Sequence, residues 1–161
     1  MHVLVDDFYK HLGTQTAIAP TIGPEIMVKS KAMGSCCGKL SFKLLRNDSV
    51  SILHKSMVVK AVALTKGSFQ CGTWPNLTSR EQCKWHASVM RMYTRVLPMT
   101  LETSKWPSDE ALIKELQAVA PMNIIVLHRL LLFVRLCKNK PIQLLKLLGL
   151  DDSPLAWVSS V

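Results

Sequence analysis

Between Ser79 and Pro98 the side chains sort onto two faces of a helix. At about 100° per residue, Arg80, Lys84, Arg91 and Arg95 fall within a stripe about 60° wide. Trp85, Val89, Met92 and Val96 fall on roughly the opposite side. A helix divided in this way buries one face and presents the other, so its neighbours must supply a core. Its start is marked too. Thr73-Trp74-Pro75-Asn76 is loop chemistry that neither a helix nor a central strand tolerates, and Ser79 with Gln82 has capping-box spacing.

The pattern recurs upstream. Pro24 suits a first helical turn and Glu25 its positive end. Ile26, Met33, Cys37, Leu40 and Leu44 then share one stripe, with Lys39, Lys43 and Arg46 on the far side. Gly34 and Gly38 weaken this helix and invite a bend. Asn47-Asp48-Ser49 breaks it and offers a cap for the next. From Val50 to Thr65 the chain is apolar nearly all round, which predicts a helix central to its lobe.

Downstream, Pro98 to Pro107 is a boundary. Ser108-Asp109-Glu110 starts a helix reaching Val119, and Pro121 starts another that runs to about Lys138. Pro141 begins a third, ended by Gly149, and Ser153-Pro154 a last one carrying Trp157. At the N-terminus, Val3, Val5, Phe8 and Tyr9 suit a short strand or hairpin that Gly13 ends, with a loop from Thr14 to Gly23. The expected fold is mainly α, a helical bundle with a short N-terminal β-hairpin or strand remnant. Three parts are expected: residues 1–23, 24–98 and 108–161.

Lys and Arg number 20 against 11 Asp and Glu, a net charge of +9, which favours a polyanionic partner. The N-terminus meets Asp6-Asp7 before any apolar region develops, so no signal peptide is expected. The 5 cysteines are irregularly spaced and suit reduced, buried thiols. Together these predict an intracellular protein, nuclear or cytoplasmic and not secreted, whose sequons at Asn47 and Asn76 stay unmodified. The longest apolar run, Ile124–Cys137, is interrupted by His128, Arg129 and Arg135 and is too short to span a membrane.

Asp6-Asp7 could suggest paired metal-binding aspartates, but such a site needs a third carboxylate from an earlier strand, and a solvated turn is the better reading. Cys83-x-x-His86 after Cys71 lacks the second ligand pair that structural zinc wants. No catalytic residue, metal or cofactor is expected. Of the tryptophans, Trp85 belongs to the apolar stripe, whereas Trp74, in a loop beside basic residues, is the open case for base stacking. The basic faces remain: Lys39, Lys43 and Arg46 on one helix, and Arg80, Lys84, Arg91 and Arg95 on the other. A solvated face normally intersperses acids. These faces carry almost none, so they are the candidate nucleic-acid-binding residues.

Several of these segments resemble one family. Tyr9-Lys10-His11-Leu12-Gly13 resembles the Tyr-x-x-Leu-Gly element just after the palm of non-LTR (LINE-type) retrotransposon reverse transcriptases. Thr73-Trp74-Pro75, followed by Met92-Tyr93-Thr94-Arg95-Val96-Leu97, resembles their thumb and linker segment. Asp109 to Leu148 is similar to the helical region downstream. The resemblance implies a primer-grip-like role for Tyr9, Lys10, His11, Leu12 and Gly13. It also implies a thumb-like lobe over 24–98 that cradles a template–primer backbone, and a linker-like lobe over 108–161. Thr94 and Pro98 stand where similar sequences often carry Arg, which implies fewer cationic contacts. The family's catalytic aspartate box is not in this chain, so the resemblance implies a catalytically incomplete fragment of an RNA-directed DNA polymerase. The alternative is a helical module that grips a protein partner through the leucine-rich 121–150 region.

Overall fold

A computed structural model describes residues 8–11, 14–17, 21–97 and 107–139. Strands β1 (Phe8–His11) and β2 (Thr14–Ala17) pair antiparallel, with His11 opposite Thr14 and Phe8 opposite Ala17. The strand pair therefore does not end at Gly13. Thr14–Ala17, expected as loop, is its second strand, and its two β-branched threonines suit that role. Helix α1 spans Gly23–Leu40 with Pro24 in its first turn, and continues into a π-helical turn over Ser41–Leu45. Neither Gly34 nor Gly38 interrupts it.

After the break at Asn47–Ser49, the cap of the next helix comes from Ser51, not from the break itself. The Ser51 hydroxyl accepts from the His54 N–H. The helical run that follows is α2 (Ile52–Val59), a π-helical turn (Lys60–Leu64) and α3 (Thr65–Ser68). A 3₁₀ turn at Cys71–Thr73 leads to α4 (Ser79–Thr94), and beyond the undescribed 98–106 come α5 (Asp109–Glu115) and α6 (Pro121–Asn139). The class is mainly α. The expected helices at 141–149 and 154–161 lie outside the described residues, as does Asp6-Asp7.

α4 meets its expectation on both faces. Trp85, Val89 and Val96 are wholly buried, Met92 nearly so, and Arg80, Lys84, Arg91 and Arg95 are exposed. The cap sits one residue earlier than expected. Thr78, not Ser79, is the N-cap, and Glu81, not Gln82, reaches back to it. Both pairs have the right spacing, but a carboxylate has two acceptor oxygens and Glu81 uses both.

The run over 52–68 is a correction of a different kind. It is not central: Leu53, Met57 and Val62 are exposed, while Ser56, Val59 and Ala63 are buried. The reason lies at the end of α5. The Ser56 hydroxyl and the Lys60 ammonium both donate to the Leu116 carbonyl oxygen, at 2.9 and 3.2 Å, and Lys60 also reaches Gln117. Those carbonyls have no partner within their own helix, so the face turned toward them must carry donors. α5 itself stops at Glu115, short of Val119, and Gln117 turns through a left-handed backbone at φ 46°.

One core joins the described residues on both sides of 98–106. Leu112, Leu116, Ile124 and Ile125 pack with Trp85, Val89, Met92 and Tyr93. Two hydrogen bonds fix this junction: Trp85 Nε1 donates to the Pro121 carbonyl at 2.8 Å, and the Tyr93 hydroxyl to Val119 at 3.1 Å. No helix among the described residues is long and apolar enough to cross a membrane.

Candidate nucleic-acid interface

α1 and α4 lie side by side and run in the same direction. At their starts Glu81 Oε1 accepts from the Ile22 N–H at 2.9 Å; towards their ends Arg95 Nη1 donates to the Gly34 carbonyl at 2.9 Å. The sequence offsets of these contacts are 59 and 61, which is the signature of a parallel pair in nearly constant register.

Glu81 sets that register. One carboxylate accepts from the Thr78 N–H and hydroxyl, at 2.9 and 2.8 Å, and from Ile22 on the other helix. It therefore serves the unsatisfied N–H groups and the positive dipole ends of two helices together. Burial alone would raise its pKa, but the donors from Thr78, Ile22 and Gly23 outweigh it and hold the carboxyl below its ordinary value.

Between the two helices lies a groove of about 220 Å³, lined by Ser30, Lys31, Gly34, Cys37, Ser88, Arg91 and Arg95 among others. Three cations and two hydroxyls thus face one concavity with no carboxylate among its lining residues. At Gly34 a Cβ would stand 4.0 Å from both terminal nitrogens of Arg95, so the guanidinium packs directly on the α1 backbone. Cys37 is buried, and desolvation pushes its thiol up despite the Arg95 guanidinium beside it. At 1 % exposure it serves as a packing residue of the core. Arg91 and Arg95 also complement the negative end of α4.

The structure thus unites part of the expected set. Arg91 and Arg95 share the groove, Lys84 and Arg80 lie exposed toward the start of α4, and Lys84 Nζ is 3.9 Å from where a Gly23 Cβ would stand. Lys39, Lys43 and Arg46 are exposed farther along α1 and its π turn, and none of them lines the groove. Tyr9, Lys10 and His11 form strand β1, while Leu12 and Gly13 lie outside the described residues.

Trp74 is a correction. It is 2 % exposed, so it does not offer a stacking platform; it packs edge-on against Trp85 with ring centroids 5.2 Å apart. Sequence reasoning missed what holds it there. Arg129 of α6, itself 2 % exposed, donates to the carbonyls of Trp74 and Pro75 at 3.0 and 3.1 Å. It also missed Lys31, which lies off the cationic face of α1 but reaches the groove because α4 packs beside it.

His86 pairs with Asp109 at 2.7 Å on the surface, and Cys83 is exposed and free. Among the described residues no cluster of three or more metal-ligating side chains forms. No protein-family model, no curated protein and no solved structure matches this chain.

Proposed function

We propose that the chain binds the phosphate backbone of a nucleic acid in the α1/α4 groove. The observation that carries this reading is the convergence of Lys31, Arg91 and Arg95 on one concavity free of carboxylates, in a chain of net charge +9. Guanidinium forks match phosphate oxygens in geometry as well as charge, and Ser30 adds a neutral hydroxyl, whereas the Ser88 hydroxyl already donates to the Lys84 carbonyl at 2.7 Å. Such contacts position a backbone and read no sequence, so the binding is indifferent to sequence. This accords with the thumb-like role that the resemblance to retroelement reverse transcriptases implies.

Filter binding to a duplex oligonucleotide tests the reading. The double variant R91E/R95E should abolish binding, and K39E/K43E should weaken it much less because neither lysine lines the groove. Equal effects of the two double variants would overturn the assignment.

A second reading has its own support. On α6, Leu127, Leu130, Leu131 and Val134 are exposed at helical spacing, the pattern of a helix that docks a protein partner. Under that reading L127E/L131E breaks co-purification of a protein while nucleic-acid binding is absent from the wild type.

A further inference from the structure

A second cavity, of about 280 Å³, opens between the turn after α3 and the middle of α6, and shares no residue with the basic groove. At Gly72, one of its lining residues, a Cβ would stand 2.7 Å from the His128 carbonyl oxygen, so the two segments meet backbone to backbone. Phe69 and Leu131 supply an aromatic and an aliphatic wall, each about half exposed, at 50 % and 47 %. Lys29 places its ammonium 5.2 Å from the Phe69 ring centroid.

Gln70, between Phe69 and the 3₁₀ turn, holds a left-handed backbone at φ 62°, pinned by the N–H and hydroxyl of Thr73 on its carbonyl oxygen at 3.0 and 2.8 Å. Its side-chain oxygen is buried and makes no hydrogen bond, so one acceptor stands unused beside the cavity. Non-glycine residues in this backbone region gather at ligand sites. His128 lines the cavity from α6, where burial and then the nearby Arg135 charge lower its pKa and so favour the neutral imidazole, which can both donate and accept. Arg135, exposed on the same wall, is the one guanidinium among the lining residues.

An apolar cleft for a flat ring, an amide and a neutral imidazole for its edge, and a guanidinium for an anion form one recognisable set. The volume falls just under the usual range of about 300–1,000 Å³ for small-molecule sites, which suits one base and excludes a dinucleotide cofactor. We propose that this cavity binds a single nucleotide, its base against Phe69 and Leu131 and its phosphate on Arg135. The ligand is either a free mononucleotide or one nucleotide of a strand. This site does not depend on the basic groove.

Calorimetric titration of the full chain with adenosine monophosphate, adenosine and ribose 5-phosphate tests the proposal. The monophosphate should bind saturably and adenosine about tenfold or more weakly, as expected for one lost charge-assisted contact. Ribose 5-phosphate should not bind. R135A should lower the monophosphate to the affinity of adenosine, and F69A should cost about tenfold. Q70G keeps the left-handed backbone without strain, so it should fold normally and lose binding. R91E/R95E should leave the affinity unchanged, which separates this site from the groove. Displacement of the monophosphate by single-stranded oligoadenylate identifies a strand as the source, and failure to displace it identifies the free nucleotide. No binding up to millimolar concentration, ribose 5-phosphate binding as well as the monophosphate, or loss of binding in R91E/R95E would overturn the proposal.

Discussion

If one carboxylate starts two helices, replacing Glu81 by Gln should unsettle both. The carboxylate accepts from Thr78 and from Ile22 through its two oxygens. A glutamine in the same place has one acceptor oxygen, so one helix start is left without its partner. A hydrogen bond to a charged group contributes about 1.5–3 kcal/mol. Loss of the negative charge beside two helix N-termini adds about 0.3–1 kcal/mol for each. The expected destabilisation is about 3 kcal/mol, which at a urea dependence of about 2 kcal/mol per molar moves the midpoint down by about 1.5 M. Trp74 and Trp85 are both buried and report the transition by fluorescence.

The effect also carries a pH signature. The folded pKa of Glu81 lies below its ordinary 4.5. Its contribution is therefore complete above about 4.5 and disappears as the pH falls through the lower folded value. The gap between wild type and Glu81→Gln should stay constant from neutral pH down to about 5.5 and narrow in more acid solution. Coincident midpoints at neutral pH would refute the reasoning, and so would a gap that persists undiminished wherever both proteins still fold in acid.

Three further outcomes follow from the packing. Arg129→Met leaves the Trp74 and Pro75 carbonyls without their donor and should cost about 3 kcal/mol or more in urea unfolding, with Trp74 emission shifted to the red as its loop loosens. Gly38→Ala meets nothing within 4 Å on an uninterrupted helix, so thermal unfolding should show a gain of about 0.5–1 kcal/mol. Of Cys36, Cys37, Cys71 and Cys83, only Cys83 should react rapidly with a thiol reagent in the native protein; burial of the Cys71 thiol pushes its pKa up to about 12.

Periodicity made α4 legible because a 16-residue helix with a sharp contrast between faces leaves little room for another orientation. Elsewhere the deciding partner was distant in sequence. Trp74 in a proline loop looks open until Arg129, 55 residues on, gathers the carbonyls around it. The run over 52–68 looks central by composition, yet its buried face is chosen by the free carbonyls at the end of α5. Arg91 and Arg95 were visible as a pair, but Lys31 joins them only because α1 and α4 run parallel, and nothing in the local pattern of either helix specifies that direction. The capping error is of another sort: two overlapping pairs satisfied the spacing rule, and the choice between them turned on a second helix start that only the carboxylate could serve.

The groove itself is tested most directly by the salt dependence of duplex binding. Three cations that each neutralise one phosphate give a slope of log affinity against log salt of about −2.7. Changing both Arg91 and Arg95 to Gln should reduce that slope to about −0.9 while the fold survives. Affinity that is flat with salt, or a slope unchanged in the double variant, would contradict the account.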